Sequence, residues 1–141
     1  MPPGYINDIG LAYGDRGNGF SFGWNVDNTA NARDRDSANS PDECHDSFIH
    51  MEAPSNPNAS WQIAVPNGTY SVHLLSGDPI NFDSVYRINV NGILALSGVP
   101  DSSNFWFEHT VTVTVTNGRL TVSNAVGSQN NKIDCIDITQ L

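Results

Sequence analysis

The chain has 141 residues, which is the size of one ordinary domain and long enough to bury a single hydrophobic core. Its formal net charge is -9 with only six Lys and Arg residues, so no basic patch can form for nucleic acid or an anionic membrane surface. Low Lys content and abundant Asn, Ser and Thr fit a secreted protein. The sequence contains neither a signal peptide nor a transmembrane run, and from its start, Met1-Pro2-Pro3, we expect that a leader or neighbouring domains have been removed.

The stretch GDRGNGFSFGWN, residues 14–25, combines closely spaced glycines with aromatic residues. Its spacing is G-x-x-G-x-G, no apolar strand precedes it and no helix follows, which argues against a phosphate-binding loop. Phe20, Phe22 and Trp24 share one face at period two, and we expect Phe20 and Phe22 to pack in the core. Trp24 is either a third core residue or, together with Asn25, the aromatic wall of a binding site.

Residues 25–39 form a polar stretch that predicts a long ordered loop. Within it, Arg33 and Arg35 alternate with aspartates, so the charges can pair inside the fold. We favour a structural ion pair over direct ligand contacts for these arginines.

The two cysteines, Cys44 and Cys135, either pair or remain free thiols. A disulfide between them would close a loop over most of the chain and stabilise the fold by several kcal/mol in the chain-entropy model. Two cysteines alone leave both alternatives open.

From Phe48 onward, apolar and polar residues alternate at period two, which predicts strands with one buried face. Such strands pack as antiparallel sheets face to face, so we expect an all-β sandwich made of one domain, residues 1–141. The alternating segments are 61–65, 70–74, 86–90, 107–115, 120–122 and 136–138.

The connections between these strands are of unequal length. Asn-Gly pairs at residues 67–68, 91–92 and 117–118 predict tight turns. Following strand direction along the chain puts these turns at one end of the sandwich. The longer connections all fall at the other end, where we expect the functional site. They are residues 53–60, 77–82, 97–106 and 125–131.

Three segments carry a family resemblance: VPNGTYSVHLLSGDP (65–79), FDSVYRINVNGILAL (82–96) and VTVTVTNGRLTVSNAVGSQNNKIDCIDI (111–138). This pattern over residues 61–141 resembles malectin-like domains and the galactose-binding-like carbohydrate-binding modules of secreted polysaccharide-degrading enzymes. The resemblance implies an antiparallel jelly-roll β-sandwich. It also implies that loops at one end hold a sugar, including the loop before the last strand, residues 126–132.

Sugars present polar hydroxyls around apolar faces, so their sites combine aromatic rings with a few amides and carboxylates. Besides Trp24 and Asn25, the long-loop end offers six candidates of these types. Trp106 is expected to point away from the core, and the alternative is a lid over the core edge. The alternative role for Asp78 is a turn-capping carboxylate, and for Asn130 and Asn131 it is left-handed turn geometry. The six candidates are Asp78, Phe82, Trp106, Asn130, Asn131 and Lys132.

Catalytic and transition-metal motifs are missing from the sequence. The four histidines form neither H-x-H nor H-E-x-x-H, and there is no G-x-S-x-G motif. We therefore expect a non-enzyme that requires no cofactor. Related sugar-binding sandwiches often hold a structural calcium ion, and the resemblance points to Asp34, Asp36, Asp134 and Asp137 as its oxygen ligands.

The sequence therefore predicts a non-catalytic carbohydrate-binding module. We expect it to be a monomer that binds a neutral polysaccharide or oligosaccharide and targets a covalently linked catalytic domain to that polymer. Two alternatives remain open: a structural or adhesion sandwich without a sugar site, and a small glycan hydrolase or lyase, which would need two carboxylates across a cleft.

Overall fold

A computed structural model describes residues 2–141, and the predicted all-β antiparallel sandwich is confirmed. The one helical element is a 3-10 turn at Thr29–Asn31, and no helix in the described part of the chain could cross a bilayer. The strands are β1 (Gly14–Asp15), β2 (Ser21–Trp24), β3 (Ala32–Asp34), β4 (Ser47–His50), β5 (Ser60–Ala64), β6 (Gly68–Gly77), β7 (Tyr86–Val90), β8 (Ile93–Gly98), β9 (Trp106–Val115), β10 (Arg119–Asn124), β11 (Lys132–Ile133) and β12 (Cys135–Gln140).

One layer of the sandwich is a six-stranded sheet with the order β1-β2-β5-β10-β7-β8. The other layer consists of two three-stranded sheets, β11-β4-β3 and β12-β6-β9. Strands β11 and β12 follow one another in the chain, and the Asp134 N–H at their junction donates to Leu75 O at 2.9 Å. This junction joins the two smaller sheets within their layer.

The core lies between the layers and uses the inward face of each strand. The longest pairing, between β6 and β9, runs from Gly68–Val115 to Gly77–Trp106. Alternate residues of β6, such as Val72 and Leu74, are fully buried in it. Burial of each such side chain contributes about 1.5–3 kcal/mol. Because the period-two pattern puts these side chains on one face of each strand, that face turns toward the other layer.

The tight turns gather at one end, as predicted. Val65 N–H donates to Gly118 O at 3.0 Å, and Gly118 N–H donates to Asn67 Oδ1 at 2.8 Å, which joins two of the turns. The long loops contact one another at the opposite end, where Val85 and Gln129 exchange backbone hydrogen bonds.

An N-terminal segment, residues 2–13, packs against β2 and explains the glycine- and aromatic-rich stretch. A Cβ on Gly23 (φ +144°) would come within 2.6 Å of Leu11 O, so only glycine fits beneath this segment. Phe22 is buried as predicted. Phe20 is 44% exposed, so its predicted core position is wrong, because it precedes the strand.

Trp24 belongs to the core, with 2% of its surface exposed. Its indole N–H donates to Asp8 Oδ2 at 3.2 Å, and the Trp61 indole donates to the same oxygen at 2.8 Å. The N-terminal segment thus covers both tryptophans. The prediction that Trp24 forms the wall of a binding site is wrong.

Cys44 and Cys135 form a disulfide that links the loop before β4 to the start of β12. This settles the alternative between bonded and free cysteines.

Candidate functional site

Buried side-chain amides hold the long loops together. Asn131 is fully buried, and its side chain donates to Arg87 O at 2.8 Å and to Asn124 Oδ1 at 2.9 Å. Its Oδ1 accepts the Arg87 N–H at 3.0 Å, while its own N–H donates to Glu52 Oε1 at 2.8 Å. Every polar atom of this side chain is occupied within the protein. Asn131 therefore supports the loop end, and its predicted contact with a ligand is wrong.

A buried ion cluster lies beneath the loop after β6. Arg35 donates to both oxygens of Asp78 at 3.2 and 2.8 Å, and Lys132 Nζ lies 3.1 Å from Asp78 Oδ2. Burial opposes ionisation of Asp78, but the hydrogen bonds from Arg35 and the Ile80 N–H and the charge of Lys132 lower its pKa well below the usual range. The ion pair predicted for the arginines is confirmed at Arg35.

Asp78 and Lys132 are themselves inaccessible to a ligand, with 0% and 1% of their side chains exposed. Their predicted role as ligand-binding residues is wrong, because each satisfies the other's charge inside the fold. Their place in the structure makes them supports of the loop that carries Phe82.

Four aromatic side chains, three from loops and one from the first residue of β9, form a continuous series, which we call the ring row. Phe82 and Phe105 have ring centroids 5.8 Å apart, Phe105 and Trp106 are also 5.8 Å apart, and Trp106 and His45 are 5.3 Å apart. Phe82 is 48% exposed, and the other three are partly exposed. Apolar ring surface concentrated at the loop end is what a ligand with apolar faces requires.

Two contacts fix Trp106 within the ring row. Its indole N–H donates to His45 O at 3.0 Å, which ties it to the loop that the disulfide anchors. Gly77 lies opposite it in the β6–β9 pairing, and a Cβ there would clash with the indole ring. The absence of a side chain at Gly77 therefore gives Trp106 its place against the sheet.

Polar groups flank the Phe82 end of the ring row. The side chain of Asp83 is 71% exposed, and its Oδ1 accepts a hydrogen bond from Asn130 Nδ2 at 3.1 Å. Lys132 Nζ lies 3.7 Å from the same oxygen. The carboxylate is thus oriented through Oδ1, while its exposed position leaves it open to hydroxyl donors in solvent.

The structure brings Phe82, Trp106 and Asn130 together at this end, and their contact with a ligand stays a prediction. Asn25 instead holds a neighbouring loop, because its Oδ1 accepts hydrogen bonds from Asn56 Nδ2 at 3.0 Å and from Ser60 N at 3.3 Å.

Sequence reasoning missed three members of the site: Phe105, His45 and Asp83. Two of them adjoin selected candidates in the sequence: the aromatic Phe105 precedes Trp106, and the carboxylate of Asp83 follows Phe82. His45 lies far from the other members in the sequence, and only the three-dimensional structure shows that its loop contacts Trp106.

Three carboxylates at the β3–β4 edge lie within 4.8 Å of one another: Asp34, Glu43 and Asp46. Partial desolvation, a hydrogen bond with Asp46 and the charges of Asp36 and Glu43 raise the pKa of Asp34. The four aspartates predicted as calcium ligands do not gather here, since only Asp34 belongs to the cluster.

The other predicted calcium ligands have separate surroundings. Asp134 is buried and accepts the Gly77 N–H at 3.0 Å, and Asp137 lies 3.3 Å from His73 Nδ1. Asp36 lies in a turn with a positive φ of 48°, and its backbone N–H donates to Asp46 Oδ2 at 2.7 Å.

A separate cavity of about 870 Å³ lies under the N-terminal segment. Its lining includes Tyr5, Phe22, Ile63, Ile136 and Ile138, which are largely core-facing side chains.

No protein-family model matches the chain, and no curated protein matches it significantly. Among solved structures, it is similar to protein YxiM from Bacillus subtilis, with 20% identity and a TM-score of 0.63 over 100% of this chain and 37% of YxiM. It is also similar to a calcium-binding mutant of Bacteroides uniformis beta-glucuronidase 2, with 14% identity and a TM-score of 0.61 over 86% of this chain and 14% of that one. At these identities the likeness concerns the fold, and this chain spans well under half of both proteins.

A family 35 carbohydrate-binding module from Clostridium thermocellum is also found, with 14% identity and a TM-score of 0.47 over 79% of this chain and 89% of the module.

Proposed function

We propose that this chain is a non-catalytic carbohydrate-binding module whose sugar site is the ring row. The observation that carries the proposal is the meeting of three loops, which places Phe82, Phe105 and Trp106 beside Asp83 and Asn130. The aromatic rings offer apolar faces for pyranose C–H groups, and the carboxylate and amide can read hydroxyls. The sequence resemblance to galactose-binding-like modules supports the same function.

The proposed ligand is a neutral glycan. The net charge is -9, and two exposed carboxylates, Asp83 and Asp42, lie at the ends of the ring row, whereas the nearby Lys132 is buried against Asp78. A uronate carboxylate would meet like charge here without an accessible cation. Affinity for one module is modest, because water competes for every hydroxyl hydrogen bond.

We place the module, residues 1–141 as one monomeric domain, beside a catalytic domain in a longer secreted protein. Two observations support this: the similar segment of beta-glucuronidase 2 is a small part of an enzyme chain, and the Cys44–Cys135 disulfide suits an oxidising compartment. A module held near its polymer raises the local concentration of the linked domain on it.

Affinity electrophoresis tests the proposal directly. The protein is run through gels that contain galactan, xylan or agarose, beside variants Phe82→Ala and Phe20→Ala. Retardation by one polymer, weakened in Phe82→Ala and kept in Phe20→Ala, is the expected result. Phe20 is the matched control because it is equally exposed, outside the ring row. Free migration in every gel contradicts the proposal and favours a structural role.

We also propose that Asp34, Glu43 and Asp46 hold a structural calcium ion. The donor chemistry fits, since all three offer carboxylate oxygens to a hard cation. Desolvation and a hydrogen bond with Asp46 raise the pKa of Asp34, and the charges of Asp36 and Glu43 add a repulsion that a cation would offset. Calcium at one hundred times its Kd would then stabilise the fold by about 2.7 kcal/mol. Thermal unfolding with CaCl2 or EDTA tests this, and an unchanged Tm, or equal responses of wild type and Asp34→Asn, contradicts it.

A further inference from the structure

We infer that the ring row takes an internal stretch of a single glycan chain, several sugar units long, rather than a chain end or the flat face of a packed polymer. This inference rests on the proposed function and specifies the form of the ligand at the same site. It follows from the length of the row, from its open ends and from the mutual tilt of its rings.

The length of the row exceeds one sugar ring. Phe82, Phe105, Trp106 and His45 follow one another at centroid spacings of 5.8, 5.8 and 5.3 Å. Each spacing is an ordinary contact distance between aromatic rings, so the four contacting rings together cover more surface than one sugar ring. A monosaccharide can therefore cover only one part of the row and leaves the other rings in water.

Both ends of the row are open. At one end, Asp83 has 71% of its side chain exposed, and at the other, Asp42 has 56% exposed and lies 2.6 Å from His45 Nδ1. A site for a chain end needs a wall that stops the chain, and these solvated carboxylates leave room for it to continue. Each also supplies hydroxyl acceptors to a unit at its end of the row.

The rings are not coplanar. Phe82 and Phe105 are inclined by 45°, Phe105 and Trp106 by 79°, and Trp106 and His45 by 81°. A crystalline polymer surface is flat and needs parallel, coplanar rings. A single chain can turn its units to follow tilted rings, which is why the arrangement suits a soluble glycan.

Calorimetry with galacto-, xylo- and agaro-oligosaccharides of increasing length, from one unit upward, tests the inference. Affinity should rise roughly two- to tenfold for each added unit that meets a ring, until the row is filled. Borohydride reduction of the chain end should leave the affinity of a long oligosaccharide unchanged. Insoluble polymer should bind no better than its soluble form.

Two variants shorten the row from opposite ends. Phe82→Ala removes one ring, and His45→Ala removes another while keeping the backbone carbonyl that accepts the Trp106 indole. Each should lower the chain length at which affinity stops rising, whereas Phe20→Ala should leave it unchanged.

Equal affinity for a monosaccharide and a long oligosaccharide, or loss of binding after end reduction, would overturn the inference while the proposed function stands. The same holds if neither ring-deletion variant alters the dependence on length. Absence of retardation by every polysaccharide gel overturns the proposed function itself, and this inference with it.

Discussion

The ammonium of Lys132 lies 3.1 Å from the carboxylate of Asp78, and both side chains are buried beneath the loop that carries Phe82. These residues are 54 positions apart, and Arg35 joins the same carboxylate from a third segment. The cluster therefore ties β11, the loop before β4 and the loop after β6 into one support for the candidate site.

Removal of the Asp78 charge should destabilise the protein strongly. Asp78→Asn leaves the buried Lys132 and the partly exposed Arg35 without a full counter-charge, and broken buried pairs typically cost about 3–5 kcal/mol. Urea unfolding followed by circular dichroism measures the change. The control is Asp101→Asn, at an exposed turn, which should stay within about 0.5 kcal/mol of wild type. Equal effects of the two substitutions would contradict this role for Asp78.

His50 should make stability depend on pH. Burial and the nearby charges of Lys132, Arg33 and Arg35 lower its pKa from 6.5 to about 4, with Asp78 opposing the shift. Between these values the unfolded state binds more protons than the folded state, so stability falls as pH drops from about 6.5 to about 4. At 1.36 kcal/mol per pKa unit the loss is on the order of 2–3 kcal/mol, allowing for partial exposure of the ring.

Urea unfolding at pH 7, 5.5 and 4 measures this loss, and His50→Gln should flatten it. The pKa of Asp78 is lowered from 3.8, so its own contribution is lost only as pH falls below about 4. If the free energy of unfolding of His50→Gln falls between pH 6.5 and 4 as much as that of wild type, the loss belongs to another group and the role of His50 is contradicted.

Loss of the disulfide should destabilise the fold without altering its sheets. Cys44 and Cys135 are separated by 91 positions, for which the chain-entropy model gives about 4–5 kcal/mol. A Cys44→Ser/Cys135→Ser variant should unfold at lower urea concentration than wild type. Added dithiothreitol should lower the wild-type midpoint and leave that of the variant unchanged. A reductant-insensitive wild type would contradict the contribution assigned to the bond.

Asp8 should control the environment of two tryptophans. Its Oδ2 accepts the indole N–H groups of Trp24 and Trp61, and its Oδ1 accepts the Gly10 N–H at 2.8 Å. Asp8→Ala leaves these donors without their partner, at a cost of about 1–3 kcal/mol for each that stays buried. The expected result is a lower Tm with a shifted tryptophan emission maximum. The control is Asn7→Ala, at the exposed residue before Asp8. An equal change in Tm and emission maximum in both variants would contradict the role of Asp8.

The strands and the unequal ends of the sandwich could be predicted because their signals are local. Alternation places Val72 and Leu74 on one face, and Asn91-Gly92 and Asn117-Gly118 mark turns through their own backbone preferences. The long loops then fall at the other end by strand direction alone. This reasoning was enough to place Phe82 in the candidate site.

The burial of Trp24, Asp78 and Lys132 could not be predicted from the same signals. Trp24 is covered by an aperiodic N-terminal segment, and Asp78 meets Arg35 and Lys132 only when distant segments close over it. Side-chain type indicated that these residues could bind a ligand, but long-range packing decides whether they face solvent. For the same reason, no sequence pattern linked His45 to the ring row.

The most direct test of the central claim is the mapping of backbone amides by ¹H–¹⁵N NMR during titration with an oligosaccharide of the polymer that retards the protein. The ring-row account predicts that the perturbed amides include Phe82, Asp83, Phe105 and Asn130. Perturbations confined to the tight-turn end, or to the cavity around Tyr5, would contradict it and place the sugar site elsewhere.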